Sequence, residues 1–347
     1  MPELRRDPVI GRWVIIATDR AKRPDQFGAA VVEKEALAPG EKCPFCEGNE
    51  SMTPPEIYAV RKPGTRPNSP GWEVRVIPSI SPLLRIEENL DRHGHGMYDL
   101  MNARGAHEIV VDTPAHLTEW QLTKDHIVKS VNVILDRVRD LEKDPGIKYV
   151  LVFKNYGKAA GGSHIMHSRA QLIGTPVNLK RVKEELAGAK AYYDYKERCV
   201  FCDIIRQELA AQKRVMAESK DFIAIMPFAS RFPFETWLLP KEHSCDFYKM
   251  DRGKAADFAE LSRMIFGKIR AVIGSFPFNF VLHTAPFRRD AGKKGYWETI
   301  ERDYHWHFEM LPILTRVAGF EWGSGFYINP LLPEDACKAA REAQVKA

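Results

Sequence analysis

The 347-residue chain lacks any apolar run of the roughly 18 to 20 residues that a membrane-spanning helix needs. Its opening, MPELRRDPVIGRW, has no apolar stretch of the secretory kind. These absences predict a cytoplasmic protein with no membrane partner. No Lys/Arg-rich arm is present: the 51 basic and 46 acidic residues are scattered, which argues against a nucleic-acid partner. Phosphorylated small molecules stay compatible, since a few well-placed Arg or Lys suffice for them. The P-loop spacing G-x(4)-G-K-[ST] and the dinucleotide spacing G-x-G-x-x-G are both missing. Six cysteines are too few for a disulfide framework. What remains is globular, with 44% hydrophobic and 28% charged residues, and its length suits two medium units better than one.

β-branched residues alternating with polar ones predict strands at Trp13–Thr18, Glu73–Pro78 and His107–Asp112, with a buried strand at Tyr149–Lys154. Residues 20 to 56 read as loop. An amphipathic helix is expected from about Thr118 to Lys143 and a polar one from about Asn178 to Tyr195. Further strands are expected at 222–228, 236–240, 278–283 and 306–311, with a helix near Ala255–Ile273. Mixed α and β with antiparallel connections, an α+β fold, is the class this predicts.

Four of the cysteines form two C-x-x-C pairs, and the two pairs introduce the same order of residues. Cys43-Pro-Phe-Cys46 is followed by His116 and then His167-Ser-Arg169-Ala-Gln171. Cys199-Val-Phe-Cys202 is followed by His243 and then His305-Trp-His307-Phe-Glu309. An internal duplication accounts for this order. Two thiolates and two imidazoles are the donor set of a tetrahedral structural zinc. The candidate sites are therefore Cys43, Cys46, His116 and His167, and Cys199, Cys202, His243 and His305, against the alternative of reduced, buried core thiols. His305 and His307 are expected to face opposite ways along one strand, one to a metal and one to a pocket. His167, Arg169 and Gln171, at i, i+2 and i+4, are expected to share a strand face. The glycine-rich Asn155–Ser163 segment beside them is either a phosphate-approaching loop or a tight turn.

Taken together, RRDPVIGRWVIIATDRAKRP, CPFC, KNYGKAAGGS, PFASRFPFETWLLPKEH and HWHFEMLPILTRVAGFEWGSGFYINP resemble the galactose-1-phosphate uridylyltransferase family, within the histidine-triad superfamily, over nearly the whole chain. The resemblance implies two similar histidine-triad-like halves, 1–195 and 196–347, each an antiparallel half-barrel sheet with packed helices. It implies a homodimer with two structural zinc sites, and nucleotide and phosphorylated small molecules as substrates. Its chemistry is nucleotidyl transfer through a nucleotidyl-histidine. Carried over by motif, Asn155, Gly162, Ser163 and Gln171 hold the phosphate and ribose. Arg20 and Arg23 reach in from the partner subunit, and Phe320, Glu321 and Tyr327 line the sugar-phosphate side.

One departure bears on mechanism. The family pattern S-x-x-H-x-H-x-Q reads SHIMHSRAQ here, which puts Arg169 where the nucleophile belongs, and Ser79 stands where Asn is common. A guanidinium has no lone pair to attack phosphorus. Three mechanisms are then open, with Ser163, His167, Arg169 and Gln171 as candidate catalytic residues. Arg169 stabilises direct displacement by the second substrate; His164 or His167 supplies the nucleophile after re-registration; or the protein is an inert nucleotide-binding homologue. The donor is a UDP-hexose, or an ADP-sugar, adenylylsulfate or dinucleoside polyphosphate cleaved by an adenylyl-transferring phosphorylase.

Overall fold

The computed structural model describes residues 1–20, 24, 27, 42–163, 165–288 and 298–345. In chain order the strands and helices are β1 (Glu3–Arg6), β2 (Trp13–Ile16), β3 (Tyr58–Arg61), β4 (Trp72–Pro78), β5 (His93–His95), β6 (Tyr98–Leu100), β7 (Ala106–Val111), α1 (Lys124–Glu142), β8 (Tyr149–Tyr156) and β9 (Arg169–Thr175). Next come α2 (Lys180–Lys196), α3 (Val200–Ala211), β10 (Val215–Glu218), β11 (Phe222–Ile225), β12 (Thr236–Pro240), α4 (Ala255–Ile273) and β13 (Phe278–His283). The chain ends with α5 (Ile300–Asp303), β14 (His307–Pro312), α6 (Gly319–Ser324), β15 (Tyr327–Asn329) and α7 (Pro333–Glu342).

Ten strands form one antiparallel sheet in the order β10-β11-β12-β14-β13-β8-β9-β7-β4-β3. Read inward from its two ends the order is the same: β3-β4-β7-β9-β8 matches β10-β11-β12-β14-β13, with α1 and α4 each inserted before the innermost strand. This is the α+β class expected, and the duplication seen in the motifs is repeated in the topology. A separate three-stranded sheet runs β1-β2-β15.

Strand alternation sorts the two faces of the large sheet. Val110, Val150, Val152, Ala170, Leu172, Leu282, Phe308 and Met310 point to one side, into a core completed by α1 and α4. Each fully buried aliphatic or Phe side chain there contributes about 1.5 to 3 kcal/mol, more than an exposed ion pair. Ile109, Gln171, Asn155, Asn279 and Glu309 lie on the opposite face. Part of that face is roofed by α2 and α3, part by the segment holding Cys43 and Phe45.

The expected helix from Thr118 is interrupted. A single turn, Glu119–Gln121, precedes extended Leu122, and α1 starts only after Thr123, whose hydroxyl accepts from the His126 N–H at 3.3 Å. Two competing threonine caps explain the break. Helix α3, which the sequence pattern does not announce, begins at the second cysteine pair. Among the described residues no helix is long and apolar enough to cross a membrane.

Gly188 of α2 lies against the N-terminal segment: a Cβ there would stand 1.8 Å from the Val9 carbonyl oxygen. In an isolated helix Gly→Ala gains roughly 1 kcal/mol. Here Gly188→Ala should destabilise instead, by about 1 to 3 kcal/mol from overpacking. Thermal unfolding checks the sign; a raised Tm would refute the close approach.

Candidate active site and metal-ligand clusters

The chain leaves β8 through a loop that folds back on the strand end. Gly157 and Gly161 adopt positive φ (83° and 76°). The Gly162 N–H donates to the Gly157 carbonyl at 2.9 Å, and a Cβ on Gly162 would come within 2.8 Å of that oxygen. Only glycine fits so close a return. Asn279, to which the sequence reading gives no role, anchors the loop: its amide donates to Asn155 Oδ1 and to the Ala160 carbonyl, both at 2.8 Å. Asn155, Gly157, Ser163 and Arg169 line one cleft.

Arg169 opens β9, and its guanidinium is bound into this loop. Nη1 donates to the carbonyls of Ile165 (2.9 Å) and His167 (2.8 Å), and Nη2 donates to Ser163 Oγ (2.7 Å). Its Cζ lies 4.9 Å from the centroid of the Phe45 ring. These bonds take three of its five N–H donors. Gln171, two residues on, has Oε1 2.9 Å from His107 Nε2. The sequence marks His107 only as the start of a strand.

Beneath the cleft, Lys154 Nζ contacts Asp112 Oδ2 (2.7 Å) and Glu119 Oε2 (2.9 Å), and Ser168 Oγ lies 2.6 and 2.7 Å from the same two atoms. Burial opposes charge on Lys154, but the two carboxylates outweigh it and raise its pKa. Burial likewise opposes charge on Asp112, and Lys154 holds it ionised. This is an ion cluster whose charges each need the other.

Both cysteine–histidine sets assemble. Cys43 Sγ is 3.5 Å from His167 Nδ1, and Cys46 Sγ is 3.5 Å from His116 Nδ1. Cys202 Sγ is 3.3 Å from His243 Nδ1 and 3.6 Å from His305 Nδ1. Within each set the four donor atoms lie within 4.8 Å of one another. The second imidazole nitrogens are also matched. His167 Nε2 donates to the Thr113 carbonyl at 2.8 Å and His305 Nε2 to the Pro240 carbonyl at 2.9 Å. That fixes the tautomer so that each Nδ1 lone pair faces the thiols, the arrangement of a metal-ligating histidine. Burial and the neighbouring Cys43 push the Cys46 thiol up to about 12, a cost a divalent cation would reverse. The His167 Nδ1 lone pair is thus turned toward the thiols. Cys245 and Cys337 are buried and stand outside these sets.

His305 and His307 do serve different clusters, but not by strand alternation. Residues two apart on a strand share a face. The separation arises because His305 precedes β14, whereas His307 is its first residue. His307 joins Glu185, His283 and Glu309, a third buried group of potential ligands. Here opposite charges are paired within the cluster: His283 Nδ1 is 2.7 Å from Glu185 Oε1 and its Nε2 3.3 Å from Glu309 Oε2, and Arg231 bridges Glu309 to Glu235. Burial would lower the His283 pKa, but Glu185 and Glu309 overcome it and raise it to about 10. His307 is pushed down to about 4 by burial and by the His283 charge. The stabilisation from protonated His283 is therefore complete below its unfolded value of 6.5 and lost as pH rises through about 10. Unfolding measured from pH 7 to pH 10 should show the deficit of His283→Gln relative to the parent shrinking; a constant deficit would rule out a charged His283.

The remaining candidates gather elsewhere. Arg20 ends a turn just after β2, Tyr327 begins β15 alongside that strand, and Phe320 and Glu321 lie on α6. Tyr327 packs against Phe232 and Arg12. None of them lines the Asn155–Arg169 cleft of its own chain. Arg23 and His164 lie outside the described residues.

Residues 185–328 match the family described as galactose-1-phosphate uridyl transferase, C-terminal domain. The chain is 34% identical to an ADP-glucose phosphorylase of Arabidopsis thaliana, over 99% of this chain and 93% of that protein. It is 27% identical to a galactose-1-phosphate uridylyltransferase of Thermotoga maritima over the full length of both. A crystal structure of an Arabidopsis thaliana ADP-glucose phosphorylase with bound ADP-glucose superposes with a TM-score of 0.81 at 33% identity, covering 99% of this chain and 100% of that one. A uridylyltransferase structure reaches 0.74 at 26% identity, covering 98% and 97%. The repeated sheet, the cleft beside β9 and a relative of this similarity along almost the entire chain agree: the protein belongs to the galactose-1-phosphate uridylyltransferase family.

Proposed function

We propose that the protein is a cytoplasmic nucleotidyltransferase that moves a nucleoside monophosphate from a nucleoside diphosphate sugar to a phosphate-bearing acceptor. The observation that carries this is the convergence of Asn155, the Gly157–Ser163 loop, Arg169 and Gln171 on one open face of the sheet, in a chain of this family. An adenylyl donor of the ADP-sugar type is favoured by the 34% identity to an ADP-glucose phosphorylase. The UDP-hexose reading is kept by the full-length likeness to a uridylyltransferase. Six cysteines, none of them in a disulfide, suit a reducing compartment.

In this reading the transfer is direct. An acceptor phosphate oxygen bonds to the α-phosphorus as the bond to the bridging oxygen breaks, and the electron pair leaves with the sugar 1-phosphate. Arg169 keeps Ser163 and the loop in place and offers its two further N–H donors to the equatorial oxygens. Asn155, Gly162, Ser163 and Gln171 hold phosphate and ribose. One in-line displacement inverts phosphorus, whereas passage through a covalent histidine adduct restores its configuration. With an α-phosphorothioate donor of known chirality, inversion is expected and no adduct should appear by intact mass. Retention, or an adduct, would refute direct transfer. Arg169→Ala should lose on the order of 10³-fold in rate and Arg169→Lys part of that. Nucleotide binding without turnover would leave an inert binding protein.

The two Cys2His2 sets are assigned to structural zinc, since four N/S donors leave no open position. The first holds the segments of Cys43 and His116 to the chain just before β9, beside the cleft, and the second holds the corresponding segments before β14. Purified protein should contain about two zinc ions per chain, and Cys43→Ser about one. Full folding of a metal-free protein would contradict this. We further place the active unit in a homodimer, where the small sheet of one protomer, with Arg20, Arg23, Phe320, Glu321 and Tyr327, completes the cleft of its partner. Sedimentation showing a monomer at assay concentration would remove that arrangement.

A further inference from the structure

We infer that His107 is a positioning residue: it fixes the Gln171 amide so that only N–H donors face the phosphate, and it ties that donor to the wall of the neighbouring nucleoside pocket. The inference rests on the proposed assignment of Gln171 to phosphate.

The tautomer settles the orientation. His107 Nδ1 accepts the backbone N–H of Leu83 at 3.2 Å. A backbone N–H can only donate, so Nδ1 carries the lone pair and the neutral ring has its proton on Nε2. Nε2 must then donate, and the atom 2.9 Å away is the Gln171 oxygen. With its oxygen held, the amide directs its NH2 group elsewhere. That matters for an acceptor-only ligand, because a flipped amide would present its oxygen to phosphate. His107 is buried, 9% exposed, so water competes poorly for this bond.

The same ring reaches the second subsite. The Ser79 N–H donates to the His107 carbonyl at 2.8 Å, so the 79–83 loop is bonded to His107 at both backbone and ring. Ser79, Ile80, Pro82, Leu84 and His107 line one part of a pocket of about 630 Å³ whose remaining lining includes Glu87, Glu108, Arg137, Asp140 and Asp144, and the proposed reading sets the nucleoside against the apolar part. Occupying that pocket braces the loop, the loop braces the imidazole, and the imidazole braces the phosphate donor. Strand register makes this possible. His107 is paired with Ile173 of β9, diagonally next to Gln171, and both side chains rise from the same face.

Two substitutions separate the two contacts. In His107→Asn the Oδ1 can take the Leu83 N–H, but nothing reaches Gln171. In His107→Gln the side chain still offers an N–H to Gln171 and loses the Leu83 bond. Turnover of ADP-glucose and UDP-glucose with phosphate, and ADP affinity by titration, are measured for both, for Gln171→Ala and for His107→Asn/Gln171→Ala. His107→Asn should lose about tenfold in kcat/KM and in ADP affinity with little change in Tm, and His107→Gln, which restores the Gln171 contact without the Leu83 bond, should recover part of it. In the Gln171→Ala background His107→Asn should cost nothing more. Additive losses, or a His107→Asn enzyme with unchanged kinetics and ADP affinity, would overturn the inference while leaving nucleotidyl transfer standing. A parent protein that binds no ADP and turns over neither donor would overturn the functional reading and this inference with it.

Discussion

Asn155 faces Asn279, and Tyr156 faces Phe278, across the pairing of β8 with β13. On the helix side of this seam the Tyr156 and Phe278 rings stack 5.2 Å apart, with Trp120 against both. On the open side the two asparagine amides join. Cutting the seam would expose two sheet edges and an aromatic cluster at once. It also decides where chemistry can stand, because the glycine loop of the first repeat is tethered through Asn279 to a strand of the second. Neither repeat forms the cleft alone.

The repeats have used equivalent positions differently. Gln171 faces Phe153 across the first repeat's inner pair, and Glu309 faces Val281 across the second's. Arg169 and Asn155 in one repeat therefore correspond to His307 and His283 in the other. Where the first leaves polar groups around a cleft, the second fills the space with its own ions and roofs them with Glu185, itself bonded to the Tyr304 hydroxyl at 2.8 Å. Such a cluster is stable because every charge has a partner; breaking a buried pair costs about 3 to 5 kcal/mol.

The residues show why some of this is legible in the sequence. The metal-ligand sets can be read because thiol and imidazole are rare side chains whose order repeats, and the strands 236–240 and 278–283 because β-branched and aromatic runs end at Pro or His. The helix break at Leu122 hinges on which of two threonines caps, a competition that spacing does not settle. His107 and Asn279 can be placed on strands, but their roles cannot be read. Their meaning comes from partners 64 and 124 residues away, brought alongside by strand register. Arg169 is legible as a cation beside a phosphate loop, but not as the clasp that holds that loop shut upon itself.

Phe45 sits between the two cysteines of the first knuckle, its backbone N–H directed to Cys43 Sγ at 3.4 Å and its ring beneath the Arg169 guanidinium. The flat surface on which that cation rests is thus set by two sulfur atoms far earlier in the chain. Oxidation of the knuckle would tilt the ring and slacken the arginine, so a change at the two sulfurs would reach the cleft through Arg169. An oxidised preparation would then imitate a lesion at Arg169 itself.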